Sequence, residues 1–392
     1  MRYAIFTRGC FLLLVCLLCL SLGARSQAES LQLPTSLTAI DDYAYENCTS
    51  ISSVILPSGL LSIGQGAFAG CEGLTVLTVP DTVESIGEEA FPEGITLYVS
   101  RDSFAMTWAQ EHGVAYRLTN PARFALLIGQ SYENTPTLDT LEGPDNDVHS
   151  LQTMLGRMSG TPYRISLKQD LTANGILSAA SSVFSEALPG DICLLYYSGH
   201  GNYSTSASLN GAMIGVDDQL VTMSQLRAVM DTIPAEKIIV MDSCYSGQLL
   251  QTNSTMSINQ FGTMTVTSNP SMDLDAVNSA IIQAFTRRTR SSVSQGNYYL
   301  MAAARSTEAS EEMYSQSTGK YYGVFTCALL YGSGYNERLN TFLNRLPADS
   351  NGDGAITLHE GYTFAESYAL TINSGQHAQV YPQNSSLVLW KK

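Results

Sequence analysis

The sequence predicts an α/β domain, with a mainly parallel sheet flanked by helices, preceded by a short solenoid of repeats. Two observations predict it. From Ala122 onward, short apolar runs of strand length alternate with helix-periodic segments, the pattern of a parallel sheet covered on both faces. Upstream of that point the chain repeats itself: Ile40, Ile63 and Ile86 stand 23 residues apart, as do Cys48 and Cys71. Units of that length bury their apolar positions only by stacking on one another.

The N-terminus is expected to lie outside either module. Arg2 and Arg8 open a basic start, Phe11–Leu22 is apolar, and Ser26-Gln27-Ala28 offers a small-x-small cleavage site, so residues 1–28 read as a secretory signal peptide. The apolar run falls short of the roughly 20 residues that span a bilayer. The mature chain is therefore expected to be secreted or held at the cell surface, with no transmembrane segment. Removing residues 1–28 takes away three arginines and no acid, leaving 17 basic side chains against 35 acidic ones and a formal charge of −18. Such a surface repels phosphate backbones and argues against a nucleic-acid partner. Five cysteines remain, Cys48, Cys71, Cys193, Cys244 and Cys327, and no CxxC pair. A zinc ribbon, a thioredoxin site and a disulfide scaffold are thereby disfavoured.

The repeat module is assigned to residues 29–118. Ile40-Asp-Asp-Tyr-Ala-Tyr-Glu-Asn-Cys48 aligns with Ile63-Gly-Gln-Gly-Ala-Phe-Ala-Gly-Cys71 and with Ile86-Gly-Glu-Glu-Ala-Phe91. Each unit carries one β-rich segment (53–56, 75–79, 95–99), and 102–112 reads as a helix that closes the stack. The phrase resembles the leucine-rich repeats of bacterial surface proteins, and two to three repeats are present. Cys48 and Cys71 read as small buried ladder residues. The resemblance implies a protein or cell-surface ligand for this module.

The second module is assigned to residues 122–392. Phe124–Ile128, Asp191–Tyr197, Lys237–Met241 and Tyr298–Ala302 are apolar enough to be buried strands, and Tyr163–Leu167 is a weaker candidate. Helices are expected over 145–158, 171–188, 223–233 and 323–330, with a short strand pair within 209–216. The stretch from about 250 to 297 lacks a period, is rich in Ser, Thr, Asn and Met, and reads as a mobile loop with at most one short helix.

The chemistry sits where the two central strands end. One runs into Tyr196-Tyr-Ser-Gly-His200-Gly201, the other into Met241-Asp-Ser-Cys244-Tyr-Ser-Gly247. In a parallel sheet, sites form at the carboxyl ends of the strands. A thiolate is the nucleophile of acyl transfer, and a nearby imidazole takes its proton and returns it to the leaving amine. Of the five histidines, only His200 has such a setting. Cys244 as nucleophile and His200 as base are the predicted catalytic pair.

These phrases, SGHG and DSCYSG, resemble the two signatures of the metacaspase-like branch of the caspase family, cysteine endopeptidases whose His precedes the Cys by roughly 50 residues. Leu127-Ile-Gly129, Leu141–Val148, Ala303-Ala-Arg-Ser306 and Gly323-Val-Phe-Thr326 add to the likeness, which runs from about 122 to the C-terminus. The resemblance implies a caspase-like fold and polypeptide substrates. It also implies an acidic pocket made by Asp147, Ser198 and Asp242, which would pair with a Lys or Arg side chain and repel an acidic one. The bland reading makes Asp242 a turn cap and Asp147 a helix cap. Backbone N–H groups of Gly201 and Cys244 would form the oxyanion hole. The position that often carries a cysteine three residues before the Asp147 equivalent is Pro144 here. Arg287, Arg288 and Arg290, in the long loop, are candidate self-cleavage sites of an enzyme that prefers basic residues, or else a solvated patch.

A second motif lies near the C-terminus. Residues 349–360 place Asp349, Asn351, Asp353 and Glu360 at positions 1, 3, 5 and 12 of a loop with Gly354 at position 6. That spacing is an EF-hand-type calcium loop, in which Ala355 would offer its carbonyl. Ca2+ is thus the expected cofactor, with no organic one. By the resemblance, Asp217 and Asp218 are weaker candidates for a separate calcium loop. An alternative of a different class is a surface-binding protein acting through its repeats, with a catalytically silent caspase-like scaffold. An intact His200 and Cys244 speak against it.

Overall fold

The computed structural model describes residues 29–202, 211–244, 298–305, 308–337, 339–372 and 375–392, and the backbone of a short antiparallel pair, Ser257–Ile258 with Met264–Thr265. Residues 1–28, the remainder of the 250–297 stretch and Arg287, Arg288 and Arg290 lie outside the described residues. Two compact units emerge, Met1–Pro121 and Ala122–Lys392.

In the first unit the 23-residue period becomes a ladder. Tyr43 N–H donates to the Gln65 carbonyl at 2.8 Å, Tyr45 to Ala67 at 2.8 Å and Asn47 to Ala69 at 2.7 Å. Residues one period apart therefore lie directly above one another. The aromatic of each repeat stacks in turn: Tyr45 on Phe68 at 5.2 Å and Phe68 on Phe91 at 6.4 Å, with Phe91 meeting Trp108 edge-on at 5.5 Å. Trp108 belongs to the helix Phe104–Glu111, capped by Ser103, whose hydroxyl accepts from Met106 N–H at 3.2 Å. Each repeat carries two strands where one was expected. The sequence-expected strands fall at Ile51–Ile55, Val76–Thr78 and Thr96–Val99, and two-residue strands at Ala39–Ile40, Ser62–Ile63 and Ser85–Ile86 form a second parallel ladder. Two residues are too short to leave a periodic signal. Cys71 is fully buried, as expected, whereas Cys48 is only half-buried.

The second unit is one six-stranded sheet between helices. Its strands, in chain order, are β1 (Arg123–Gly129), β2 (Tyr163–Gln169), β3 (Ile192–Ser198), β4 (Glu236–Asp242), β5 (Tyr298–Ala302) and β6 (Gln379–Tyr381), arranged β2-β1-β3-β4-β5-β6. The first five are mutually parallel and β6 is antiparallel to β5. The helices are α1 (Gly143–Leu155), α2 (Ala173–Val183), α3 (Met223–Met230), α4 (Val324–Gly332) and α5 (Leu358–Ile372).

The strands are apolar on both faces because both faces are covered. Ala125 and Leu127 of β1 face α1, α4 and α5 through Leu151, Phe325 and Ala365. Phe124, Leu126 and Ile128 of the same strand face α2 and α3 through Ile176 and Leu226. Cys193 and Cys327 are core residues, and burial pushes the Cys193 thiol up to about 12.

One expectation is corrected here, and one region carried none. The strand pair expected within 209–216 is Met213–Ile214 with Leu220–Val221, so its second strand lies downstream of the stretch read. The C-terminal part, α5, β6 and the pair Ala355–Thr357 with Val388–Lys391, had no assignment in the sequence beyond the acidic loop.

Candidate active site

Register builds the site. In the β3–β4 pairing Ser198 stands opposite Asp242, and in the β3–β1 pairing it stands opposite Gly129. His200 and Cys244 each follow two residues beyond that row, on adjacent strands whose spacing is about 4.8 Å. The imidazole and the thiol are thus delivered side by side at the carboxyl edge of the sheet. Both line one cavity of about 110 Å³, together with Asp147, Ser198, Asp242, Glu311 and Glu312. The glycine after His200 is required by this closeness, because a Cβ at Gly201 would strike the Cys244 carbonyl oxygen.

Each reactive group is held by a backbone carbonyl. His200 Nε2 lies 2.7 Å from the Asp139 carbonyl oxygen. A carbonyl only accepts, so Nε2 is the donor and Nδ1 is the nitrogen left to take a proton. Cys244 Sγ faces the Ser310 carbonyl at 3.6 Å. The thiol and the imidazole therefore share the cavity without bonding to each other in this state. Burial pushes the Cys244 thiol above its ordinary value, and the Asp242 and Glu311 carboxylates add repulsion. In the free protein Cys244 is a neutral thiol at neutral pH.

Tyr132 sets the imidazole in place. Its hydroxyl accepts the His200 backbone N–H at 3.0 Å and donates to the Ile214 carbonyl at 2.9 Å, and its ring lies 4.7 Å from that of His200. Tyr132 adopts φ +59°, a conformation that costs a side-chain-bearing residue about 1–2 kcal/mol. The Asp170 carboxylate holds it there, accepting from Ser131 N–H at 2.8 Å and Tyr132 N–H at 3.4 Å. No motif marks Tyr132, Asp139 or Ser310 in the sequence, because two of them act through backbone carbonyls and the third through a loop.

The cavity floor is acidic. Asp147, on α1, accepts from the Ser198 hydroxyl at 2.9 Å and from Gly323 N–H at 3.0 Å. Asp242 accepts from the Ser310 hydroxyl at 2.6 Å, from the Thr326 hydroxyl at 2.6 Å and from Thr326 N–H at 3.0 Å. Asp147 lies inside α1 and Asp242 ends β4, so neither is the simple cap of the bland reading. The two carboxylates approach the same point from two elements. A Cβ on Gly323 would strike Asp242 Oδ2 and lie 3.0 Å from Asp147 Oδ2, which is why that position is a glycine.

Glu312, which the sequence reading missed, adds a third carboxylate and accepts from Gly143 N–H at 3.0 Å. Burial, then the charge of Asp242, holds the Asp147 carboxyl well above the usual range. Burial likewise raises Asp242 against its three hydrogen bonds, and raises Glu312. Among the described residues, no Lys or Arg lines the cavity. Its floor gathers Asp147, Asp242 and the half-buried Glu312, and burial favours the neutral form of each.

The other sequence-selected residues lie elsewhere in this unit. In the 349–360 loop, Asp349 accepts from Gly352, Asp353 and Gly354 N–H groups, Asn351 from Asp353 N–H, and Asp353 from Ala355 N–H. Glu360 accepts from Ser350 and Thr357, through N–H and hydroxyl of each. The donor chemistry, oxygen throughout, suits a hard cation. As placed, no three His, Cys, Asp or Glu side chains among the described residues converge to hold a metal. Asp217 accepts from Ala173 N–H at 2.9 Å and thus holds the start of α2, while Asp218 stands in the adjoining turn.

Comparisons with known proteins follow the same division. Residues 24–98 match the BspA type leucine rich repeat region, a model of six copies. Metacaspase-9 of Arabidopsis thaliana is 27% identical over 177 residues, 41% of this chain and 53% of that protein. Metacaspase-7 of the same plant is 29% identical over 146 residues, 33% of this chain and 36% of that protein. The chain thus spans about half the length of the first of these relatives and less of the second. Caspase-1 from Spodoptera frugiperda superposes with a TM-score of 0.41 at 9% identity, over 69% of this chain and 89% of that one. Residues 122–345, more than half of the sequence, match the caspase domain, and the chain belongs to that family.

Proposed function

We propose that the protein is a cysteine endopeptidase that cleaves after Arg or Lys. The observation that carries this reading is the cavity in which Cys244 and His200 stand over Asp147, Asp242 and Glu312. A basic side chain entering it pairs with the buried carboxylates, and its backbone brings the scissile carbonyl beside the thiol. His200 Nδ1 takes the thiol proton, and the thiolate adds to the carbonyl carbon. The oxygen that gains charge is met by the N–H groups of Gly201 and Cys244, the latter turned towards its own sulfur in the free protein. Collapse of the adduct expels the amine, which takes the proton from His200, and water hydrolyses the acyl-enzyme.

Several further readings belong to the proposal and rest on the sequence. Export by residues 1–28 follows from their signal-peptide grammar. Self-processing at Arg287, Arg288 or Arg290 follows from the same specificity. A protein or cell-surface ligand is assigned to the repeats. Ca2+ is assigned to Asp349, Asn351, Asp353, Glu360 and the Ala355 carbonyl, where it would supply a fixed positive charge that gathers the loop.

Fluorogenic peptides with Arg, Lys, Asp or Asn before the scissile bond, offered to the full chain and to Cys244→Ala, test the core of this. Cleavage of the Arg and Lys peptides alone, lost in the variant, is expected. Cleavage after Asp or Asn would overturn the acidic pocket, and no turnover of any peptide would move the weight to binding by the repeats.

A further inference from the structure

Resting on the peptidase reading above, we propose that Ser243 is a catalytic residue whose hydroxyl donates to the substrate oxygen on which charge develops, beside the N–H groups of Gly201 and Cys244. Three serines line the cavity: Ser198, Ser243 and Ser310. Ser198 donates to Asp147 and Ser310 to Asp242, so both are committed to the acidic floor. Ser243 is 2% exposed, and its Oγ has no hydrogen-bond partner among the described residues. Buried hydroxyls almost always find one, and a buried unpaired hydroxyl is destabilising. Its position says what would pair with it. Oγ lies 3.3 Å from the point that a Cβ on Gly201 would occupy, against the backbone whose N–H serves the oxyanion, and one residue before the nucleophile.

An alanine would fill this position equally well as packing, without the unpaired oxygen, so nothing among the described residues gives the hydroxyl a structural role. In the reaction, the thiolate sulfur bonds to the carbonyl carbon and the carbonyl π pair moves onto oxygen. Ser243 O–H then joins the two backbone N–H groups around that oxygen. When the adduct collapses, the pair returns to the C–O bond and the C–N bond breaks. The proton that leaves with the amine comes from His200. Ser243 keeps its own proton throughout and acts by hydrogen bonding.

The test is Ser243→Ala in the full chain, with wild type and Cys244→Ala beside it. Wild-type turnover of an Arg peptide, absent in Cys244→Ala, establishes the underlying reading independently. For Ser243→Ala, kcat is expected to fall about 100-fold, the loss typical of one oxyanion donor, with KM nearly unchanged. An arginine peptide aldehyde forms a thiohemiacetal whose oxygen takes the same place, and its affinity should fall by a similar factor. Alkylation by iodoacetamide, which generates no oxyanion, should proceed at the wild-type rate. The thermal midpoint should stay level or rise, because an unpaired buried hydroxyl has gone. Unchanged kcat would overturn the proposal, as would a loss of kcat joined to a lower midpoint, a slower alkylation or an unaltered aldehyde affinity.

Discussion

At the scale of single residues, the acidic floor couples protons to folding. Asp147 and Asp242 are raised by burial, and Asp147 further by its neighbour. In the unfolded chain each ionises at the ordinary value of about 3.9. Above that pH the folded state holds more protons than the unfolded one, so stability falls as pH rises towards the folded values. A cationic side chain in the cavity would offset the burial by favouring the ionised carboxylates, and so release a proton on binding. Urea denaturation from about pH 4 to pH 8, in a Cys244→Ala background, should therefore show a decline that Asp147→Asn makes shallower, with the variant at least as stable near neutrality. Equal slopes in the two proteins would mean that Asp147 titrates as an ordinary carboxylate. Asp242 was legible because DSC fixes its offset from Cys244, and Asp147 through the separate Asn146-Asp147-Val148 phrase. Glu312 and Tyr132 were not, since each reaches the site from a segment whose own sequence gives no sign of where it returns.

Among elements, what the sequence shows depends on how completely a segment is buried. β1, β3, β4 and β5 were legible because strands covered on both faces become unbroken apolar runs. β2 has only half-buried and exposed residues along its length, and reads weakly for that reason. β6 is three residues long, and α5 buries Leu358, Glu360, Gly361, Ala365 and Ala369, of which three are small and one is charged, so the period is faint. The acidic loop before α5 stands out in the sequence by the spacing of its oxygen-bearing side chains, and its surroundings provide a reporter for calcium. Ile356, at loop position 8, pairs with Trp390 in the strand pair that closes the loop, and Trp390 is 2% exposed. If Ca2+ draws Asp349, Asn351, Asp353 and Glu360 together, the adjoining strands shift and the emission of Trp390 should change on titration with calcium. Glu360→Gln, which removes the bidentate ligand, should abolish that response. A spectrum indifferent to calcium in the unaltered chain would assign the loop to its hydrogen bonds alone.

On the scale of the whole molecule, charge works in the same direction as the pocket. The chain carries a formal net charge of −15, so the field that a cationic peptide meets on approach has the sign of the cavity floor. Exposed charges act over about a Debye length, roughly 10 Å at 0.1 M salt, whereas buried pairs are screened far less. The two contributions can thus be separated by ionic strength. Raising salt from about 0.02 M to about 0.5 M should lower kcat/KM for an Arg peptide several-fold, through slower capture, as expected of steering by surface charge. It should leave kcat nearly constant, because once the side chain sits on Asp147 and Asp242 the bulk ions no longer reach it. Alkylation of Cys244 by neutral iodoacetamide should be indifferent to salt throughout. A kcat that fell with salt in parallel would place the recognised charge at an exposed rim rather than on the buried carboxylates, and would move the specificity from the floor of the cavity to the exposed Glu311.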